Sequence, residues 1–266
     1  MPERRCGATT YDVLMTSTAR GAPAEPIEHP ARGPMADPLL ASARGVAAAG
    51  LLVAAVAAAP AAAATLQVTV TGADGQPAAD TVVLVRRAAS FQPFDRSAPV
   101  IIVQKDIRFV PYVSVMPVRG TVRFVNRDRF AHHVRSMPVG PLGAAPPAAD
   151  FEFRLAAATW RSEPSAERVL EQPGPIALGC HLHGSMRGHL YVSDTPWFGV
   201  TDAAGRVTLE VPDGAAELQL WHPDQLGEQP PRSLVLSGST AQAMTLNFAP
   251  RPRPAPRPEG GDPYKY

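Results

Sequence analysis

Cys180-His181-Leu182-His183-Gly184-Ser185-Met186 places a thiol, a thioether and two imidazoles within seven residues. Upstream, Asn126-Arg127-Asp128-Arg129-Phe130-Ala131-His132-His133-Val134 adds two more imidazoles. Thiolate, thioether and imidazole together are the donors that soft-ligand copper sites use. Cys180, His183 and Met186 fit on one tight loop, so the fourth ligand, His132, must come from a distant strand. The thiolate binds, not the thiol, and a bound cation drives deprotonation of Cys180 outright. Two imidazoles, one thiolate and a weak axial thioether give the trigonal copper geometry used for electron transfer. A rigid sheet framework suits that task, because it limits rearrangement when the ion changes oxidation state.

The elements that must hold these donors read as strands. Leu66-Gln67-Val68-Thr69-Val70 alternates, Gly72 to Pro77 supplies turn residues, and Thr81 to Val85 follows as a second strand. Ile107 to Val115 and Gly120 to Val125 come next, with Val122 and Phe124 on one face and Arg123 on the other. Residues 138–168 are rich in Pro and Ala and read as a long loop with at most one edge strand, Phe151 to Leu155. Ile176 to Leu178 and His189 to Val192 flank the Cys loop. Val207 to Val211, Glu217 to Trp221, Ser233 to Leu236 and Met244 to Phe248 complete the set. Long helical periodicity is absent after the first 64 residues, so the expected class is all-β. Pro250 to Pro258 mostly alternates Pro with Arg, and residues 249–266 are expected to form an extended, disordered tail.

The amino-terminal quarter has a different character. Val46 to Ala59 is a short apolar run with Arg44 before it and Ala62-Ala63-Ala64 after it, the pattern of a secretory signal peptide over 35–64. It is short and Ala-rich for a transmembrane helix; an uncleaved anchor or a buried helix is the other reading. Residues 1–34 lack periodicity and are expected to be disordered or a misassigned extension, with Met35 the better start. Removing residues 1–64 takes away five basic and five acidic residues. That leaves 20 and 19 in residues 65–266 and a formal charge of +1. Near neutrality gives no support for nucleic-acid binding. Cys6 goes with the leader, leaving Cys180 as a lone thiol in an oxidising, extracytoplasmic compartment, where a metal that holds it as thiolate removes a liability.

Asn126-x-Asp128-x-x-x-His132-x-Val134 together with Gly179-Cys180-x-x-His183-x-x-Met186-x-Gly188 resembles the cupredoxins, in spacing closest to the amicyanin type. The wider frame is similar to secreted bacterial proteins of the methylamine utilization or plastocyanin-like group. Its matching stretches are Gln104 to Pro111, the His132-His133-Val134 run, the Cys loop, Asp194 to Phe198, and Thr201-Asp202 through Trp221-His222-Pro223. The resemblance implies a Greek-key β-sandwich, one type 1 copper ion at His132, Cys180, His183 and Met186, and a periplasmic redox role with a partner protein. It also selects His132 over His133, which as strand neighbours face opposite ways. His181, next to Cys180, should point outward, and His189 and His222 should lie at the surface or support a ligand. Two departures stand out: His133 occupies the place of the usual Asn, and Gly184-Ser185 is smaller than the usual loop.

Val68 to Val70, Asp74 to Pro77 and Val82 to Val85 resemble the opening strands of the small carboxypeptidase regulatory-like (prealbumin-like) sandwich, and Thr201 to Leu209 its later strands. The expected organisation is a small sandwich from 65–97 and 196–248 with a copper domain, 98–195, inserted into it. The other arrangement is a copper domain starting at Thr65 with an appended module. Three functions compete: a blue-copper electron carrier, a copper-delivery module, and a metal-free β-sandwich. Zinc is a weaker rival, since structural zinc sites want four Cys or His ligands. An enzyme is not expected: Gly179 precedes Cys180, so there is no His-Cys-His, and no catalytic arrangement of Ser, His and Asp stands out.

Overall fold

Alternating short strands and turn residues dictate an almost wholly β structure. The structure, a computed structural model, describes residues 63–87 and 95–253. The expected extension over 1–34, nearly all of the expected leader, and the tail beyond 253 lie outside those residues. Two strands come first, β1 (Ala63–Thr71) and β2 (Val82–Arg86). The middle holds β3 (Val100–Lys105), β4 (Arg108–Val110), β5 (Val113–Pro117), β6 (Thr121–Asn126) and β7 (His132–Met137). Then come β8 (Glu152–Leu155), β9 (Ser165–Val169), β10 (Gly174–Cys180) and β11 (Arg187–Ser193). The last are β12 (Trp197–Val200), β13 (Arg206–Pro212), β14 (Gly214–Trp221), β15 (Arg232–Leu236) and β16 (Ser239–Thr245).

These strands make four sheets around two cores. Sheet β13-β1-β16 and sheet β12-β2-β14-β15 enclose Leu66, Val68, Val83, Val85, Leu218 and Leu220. Sheet β4-β3-β6-β9 and sheet β5-β11-β10-β7-β8 enclose Phe124, Ile102, Met116, Ile176, Leu178 and Leu190. Each core is lined by apolar side chains, the condition under which burial stabilises a sandwich. β1 runs antiparallel to β13, Leu66 opposite Leu209, and β2 antiparallel to β14, Leu84 opposite Gln219. Chain from both ends therefore meets in the same sheets. A third apolar contact, Val82, Leu84, Val113, Tyr191 and Trp221, joins the outer face of β2 and β14 to that of β5 and β11.

Several sequence expectations need correction. Residues 138–168 contain two strands rather than at most one: β9 pairs with β6, although Ser165-Ala166-Glu167-Arg168-Val169 carries weak β-propensity of its own. Val100–Lys105 and Trp197–Val200 are also strands, completed by their neighbours rather than by any strong alternation. Pro111, which has no amide hydrogen to donate, splits the run from 107 to 115 into β4 and β5. The last strand lies at Ser239–Thr245, not Met244 to Phe248, where it adds parallel to β1. Ala63 and Ala64, at the end of the expected leader, already belong to β1, with Ala64 buried opposite Val211. Residues 251–253 are not free: Arg251 pairs with Asp224, and Arg253 pairs with Asp80 while lying over the Tyr112 ring. The turn expected at Asp202 to Gly205 is present, with Gly205 at φ 71, where a Cβ would run into the carbonyl oxygen of Val70.

Candidate metal centre

The site is built outward from Asn126, the last residue of β6. Its side-chain amide donates to the carbonyls of Phe130 (2.8 Å) and Ala156 (2.6 Å), while its oxygen accepts the Asp128 amide (2.8 Å). The loop from 127 to 131 is thereby pinned to itself and to the far side of the sandwich. Asp128 then accepts three hydrogen bonds, from the amides of Asp106 (2.7 Å) and Ile107 (3.1 Å) and from His132 Nε2 (2.8 Å). An ionised carboxylate only accepts, so Nε2 carries a proton and Nδ1 is the nitrogen left to face the sulfur, where a cation would take its lone pair. The Asn-x-Asp-x-x-x-His spacing thus encodes a loop brace, a ring clamp and a donor.

His132 Nδ1 faces the Cys180 sulfur at 3.8 Å, and His183 Nδ1 lies 3.5 Å from the same sulfur. The two rings are 4.9 Å apart, and Phe130 packs on both, edge-on to His132. The His133 amide donates to the sulfur at 3.4 Å. Met186 closes a turn in which its amide donates to the His183 carbonyl (3.0 Å), and its side chain is buried in the same apolar cluster as Cys180. Exposure is 0% for His132, 3% for Cys180, 8% for His183 and 1% for Met186. The three donor atoms of His132, Cys180 and His183 all lie within 4.8 Å of one another. Two ligands bound at ordinary nitrogen and sulfur distances to one ion in a trigonal plane sit about 3.7 Å apart. The observed spacing fits a shared soft cation.

Electrostatics agree with that use. Burial would push the Cys180 thiol up, but hydrogen bonds from His132, the His133 amide, His183 and the Leu182 amide outweigh it and bring the thiol down from 9.0 to about 6. Burial pushes His132 down, yet Asp128 and the sulfur together hold it above its ordinary value. Burial likewise raises Asp128, and its hydrogen bonds from His132, Asp106 and Ile107 leave it lowered overall. A cation entering here meets a thiolate already favoured and has one imidazole proton to displace. Metal-free protein should show thiolate absorption in the far ultraviolet rising with a midpoint near pH 6. Because the folded value is the lower one, this group's contribution to stability is present above the unfolded value of 9.0 and fades as pH falls through about 6. A midpoint near 9 would mean that the hydrogen bonds to sulfur are not formed.

Of the histidines considered from sequence, His132 and His183 point inward. His133 and His181 point outward, their rings 4.9 Å apart on the opposite face of the sheet. His222 corrects the expectation of a surface residue, whereas His189 is half-buried. His222 is 3% exposed, with its amide bonded to Gln225 and its ring against Phe248, and His189 lies between Tyr112 and Trp221. Desolvation lowers both to about 4. Neither belongs to the His132 cluster. Asp128, Asn126 and Phe130 carry roles that the sequence reading left unassigned, though their motif contained two of them.

No known family profile matches the chain. No curated protein matches it in sequence either. Among solved structures it is similar in part to a copper-containing nitrite reductase from Thermus scotoductus, at 22% identity over 40% of this chain and 24% of that one, with TM-score 0.30. An oxidised variant of amicyanin matches at 18% identity over 37% of this chain and 86% of its own, TM-score 0.27. A purple cupredoxin from Nitrosopumilus maritimus matches at 20% identity over 35% and 99%, TM-score 0.29. The matched segment spans about a quarter of the nitrite reductase. Likenesses of this size carry no function with them.

Proposed function

We propose that this chain is a secreted, mononuclear type 1 copper protein that carries electrons between partner proteins. The observation that carries the reading is the convergence of His132 Nδ1, Cys180 Sγ and His183 Nδ1 in a buried pocket, with the Met186 side chain in the adjoining core. Copper bound there would supply a one-electron couple. The chain's own residues do the rest. Asp128 fixes the His132 ring through Nε2, the His133 amide donates to the sulfur, and Phe130 packs against both imidazoles. Strands β7 and β10 hold His132 and Cys180, and the Met186 amide ties the turn shut, so little can shift on a change of charge.

In this reading 98–195 is the copper domain, inserted into a small sandwich formed by 65–97 and 196–248. The pairing of β1 with β13 and of β2 with β14 supports that division. The role is that of a carrier rather than a catalyst, and the partner is a redox protein. A periplasmic location agrees with the lone thiol. No helix among the described residues is long and apolar enough to cross a membrane.

Adding copper(II) to the purified full-length chain tests the proposal. A trigonal thiolate site should give an intense visible charge-transfer band and a reversible voltammetric wave. A module built for copper delivery would instead prefer copper(I) and yield it to a chelator, and a metal-free sandwich would stay colourless. Met186→Leu should keep the band and raise the reduction potential, because the thioether that Met186 would offer a bound ion, a weak donor favouring the oxidised state, is gone.

A further inference from the structure

Strand alternation puts a second set of donors directly behind the first. His132 and Cys180 face inward, so their sequence neighbours His133 and His181 face outward, and the His181 amide bonds the His133 carbonyl at 3.0 Å. The two imidazoles form a cross-strand pair with ring centroids 4.9 Å apart. Glu152, at the start of the neighbouring strand β8, reaches between them. Its Oε1 lies 2.7 Å from His133 Nε2 and 3.5 Å from His181 Nε2. Side-chain exposure is 31% for His133, 39% for His181 and 53% for Glu152, so the group opens to solvent. Arg135 stands opposite Glu152 in register and Arg154 opposite His133. Among the described residues the ion pairs of Glu152 nonetheless run to the imidazoles.

We infer that His133, His181 and Glu152 form a second, solvent-facing site for a divalent cation of the zinc or copper(II) kind. Two imidazoles and one carboxylate are a donor set such ions take, leaving a further position for water. Ligands of a tetrahedral ion at ordinary bond lengths lie roughly 3.3 Å from one another. The carboxylate oxygen stands at 2.7 and 3.5 Å from the two nitrogens, and rotation of the two solvent-exposed imidazoles would have to bring the third pair of donors to the same spacing. The backbone beneath needs no change, since β7, β8 and the end of β10 are hydrogen-bonded to one another. The site is independent of the buried cluster, because its donors lie on the other face of the sheet.

Zinc titration of the full-length chain, read as equivalents bound, tests the assignment. His181→Ala, His133→Ala and Glu152→Gln should each weaken one equivalent by more than roughly tenfold, since losing a ligand costs at least as much as losing a group that orients one. Cys180→Ser should leave that same equivalent in place. If the three exposed variants bind zinc as the parent does, the site does not exist. Loss in His181→Ala with His133→Ala and Glu152→Gln unaffected would mark single-histidine binding and would overturn it equally. Failure of the buried-copper reading has a separate signature: Cys180→Ser would match the parent in every metal, while the outer variants still lost theirs.

Discussion

Cys180→Ser should abolish the visible band of the copper-loaded protein entirely while leaving the chain folded. The band arises from charge transfer out of a thiolate, and among the described residues Cys180 is the one thiol: Met186 offers only a neutral thioether. Serine is close in size, and Cys180 sits at the inner end of β10 with a sulfur contacted by the His133 amide and two imidazoles. The shorter oxygen can still accept the amide, so the fold should lose little. Affinity for copper(I) should fall by orders of magnitude, because the soft anionic ligand is the one that selects it. Absorption spectroscopy and a competitive copper(I) chelator assay read the two effects. A variant that retained the full band would refute the copper assignment at its root.

Asp128→Ala should produce the second large change, in two separable quantities. Its carboxylate satisfies the amides of Asp106 and Ile107 and clamps His132 Nε2, three donors in a region where Asp128 itself is 6% exposed. Removing it leaves buried N–H groups without partners, and we expect about 3 kcal/mol of lost stability. Copper affinity should drop roughly 10- to 100-fold, the cost of freeing a ligand ring whose orientation is otherwise set. Asp128→Asn should recover much of the stability, because the amide oxygen still accepts. It should recover less of the affinity, because a neutral acceptor raises the basicity of His132 less. Chemical denaturation and metal titration of the two variants check this. Equal affinity in all three proteins would remove Asp128 from the site.

The division between what could be read from residues and what could not follows the range of the forces involved. The Cys loop was legible because its members are local: Cys180 and His183 meet across a single turn that the Met186 amide closes, and seven residues dictate its geometry. That only one of His132 and His133 can face inward was legible because alternation along a strand is also local, whereas the choice of His132 came from the resemblance of its Asn-x-Asp-x-x-x-His motif. The edge strand β9 and the strand β3 were not, since Ser165 to Val169 and Val100 to Lys105 become strands by pairing with β6, a partner their own pattern does not name. The burial of His222 and the half-burial of His189 were equally hidden, because they depend on contacts with Phe248 and Trp221.

What the sequence by itself determined is the donor chemistry, one thiol, one thioether and inward or outward imidazoles at set spacings, together with an all-β class. Only the tertiary structure decided that His132 meets Cys180 and His183 within one coordination distance, that Asp128 holds its ring through Nε2, and that Glu152 stands between the two outward rings. Residue type and alternation are properties of a few adjacent positions. Convergence of side chains 48 positions apart depends on strand register, which the packing of two whole sheets settles.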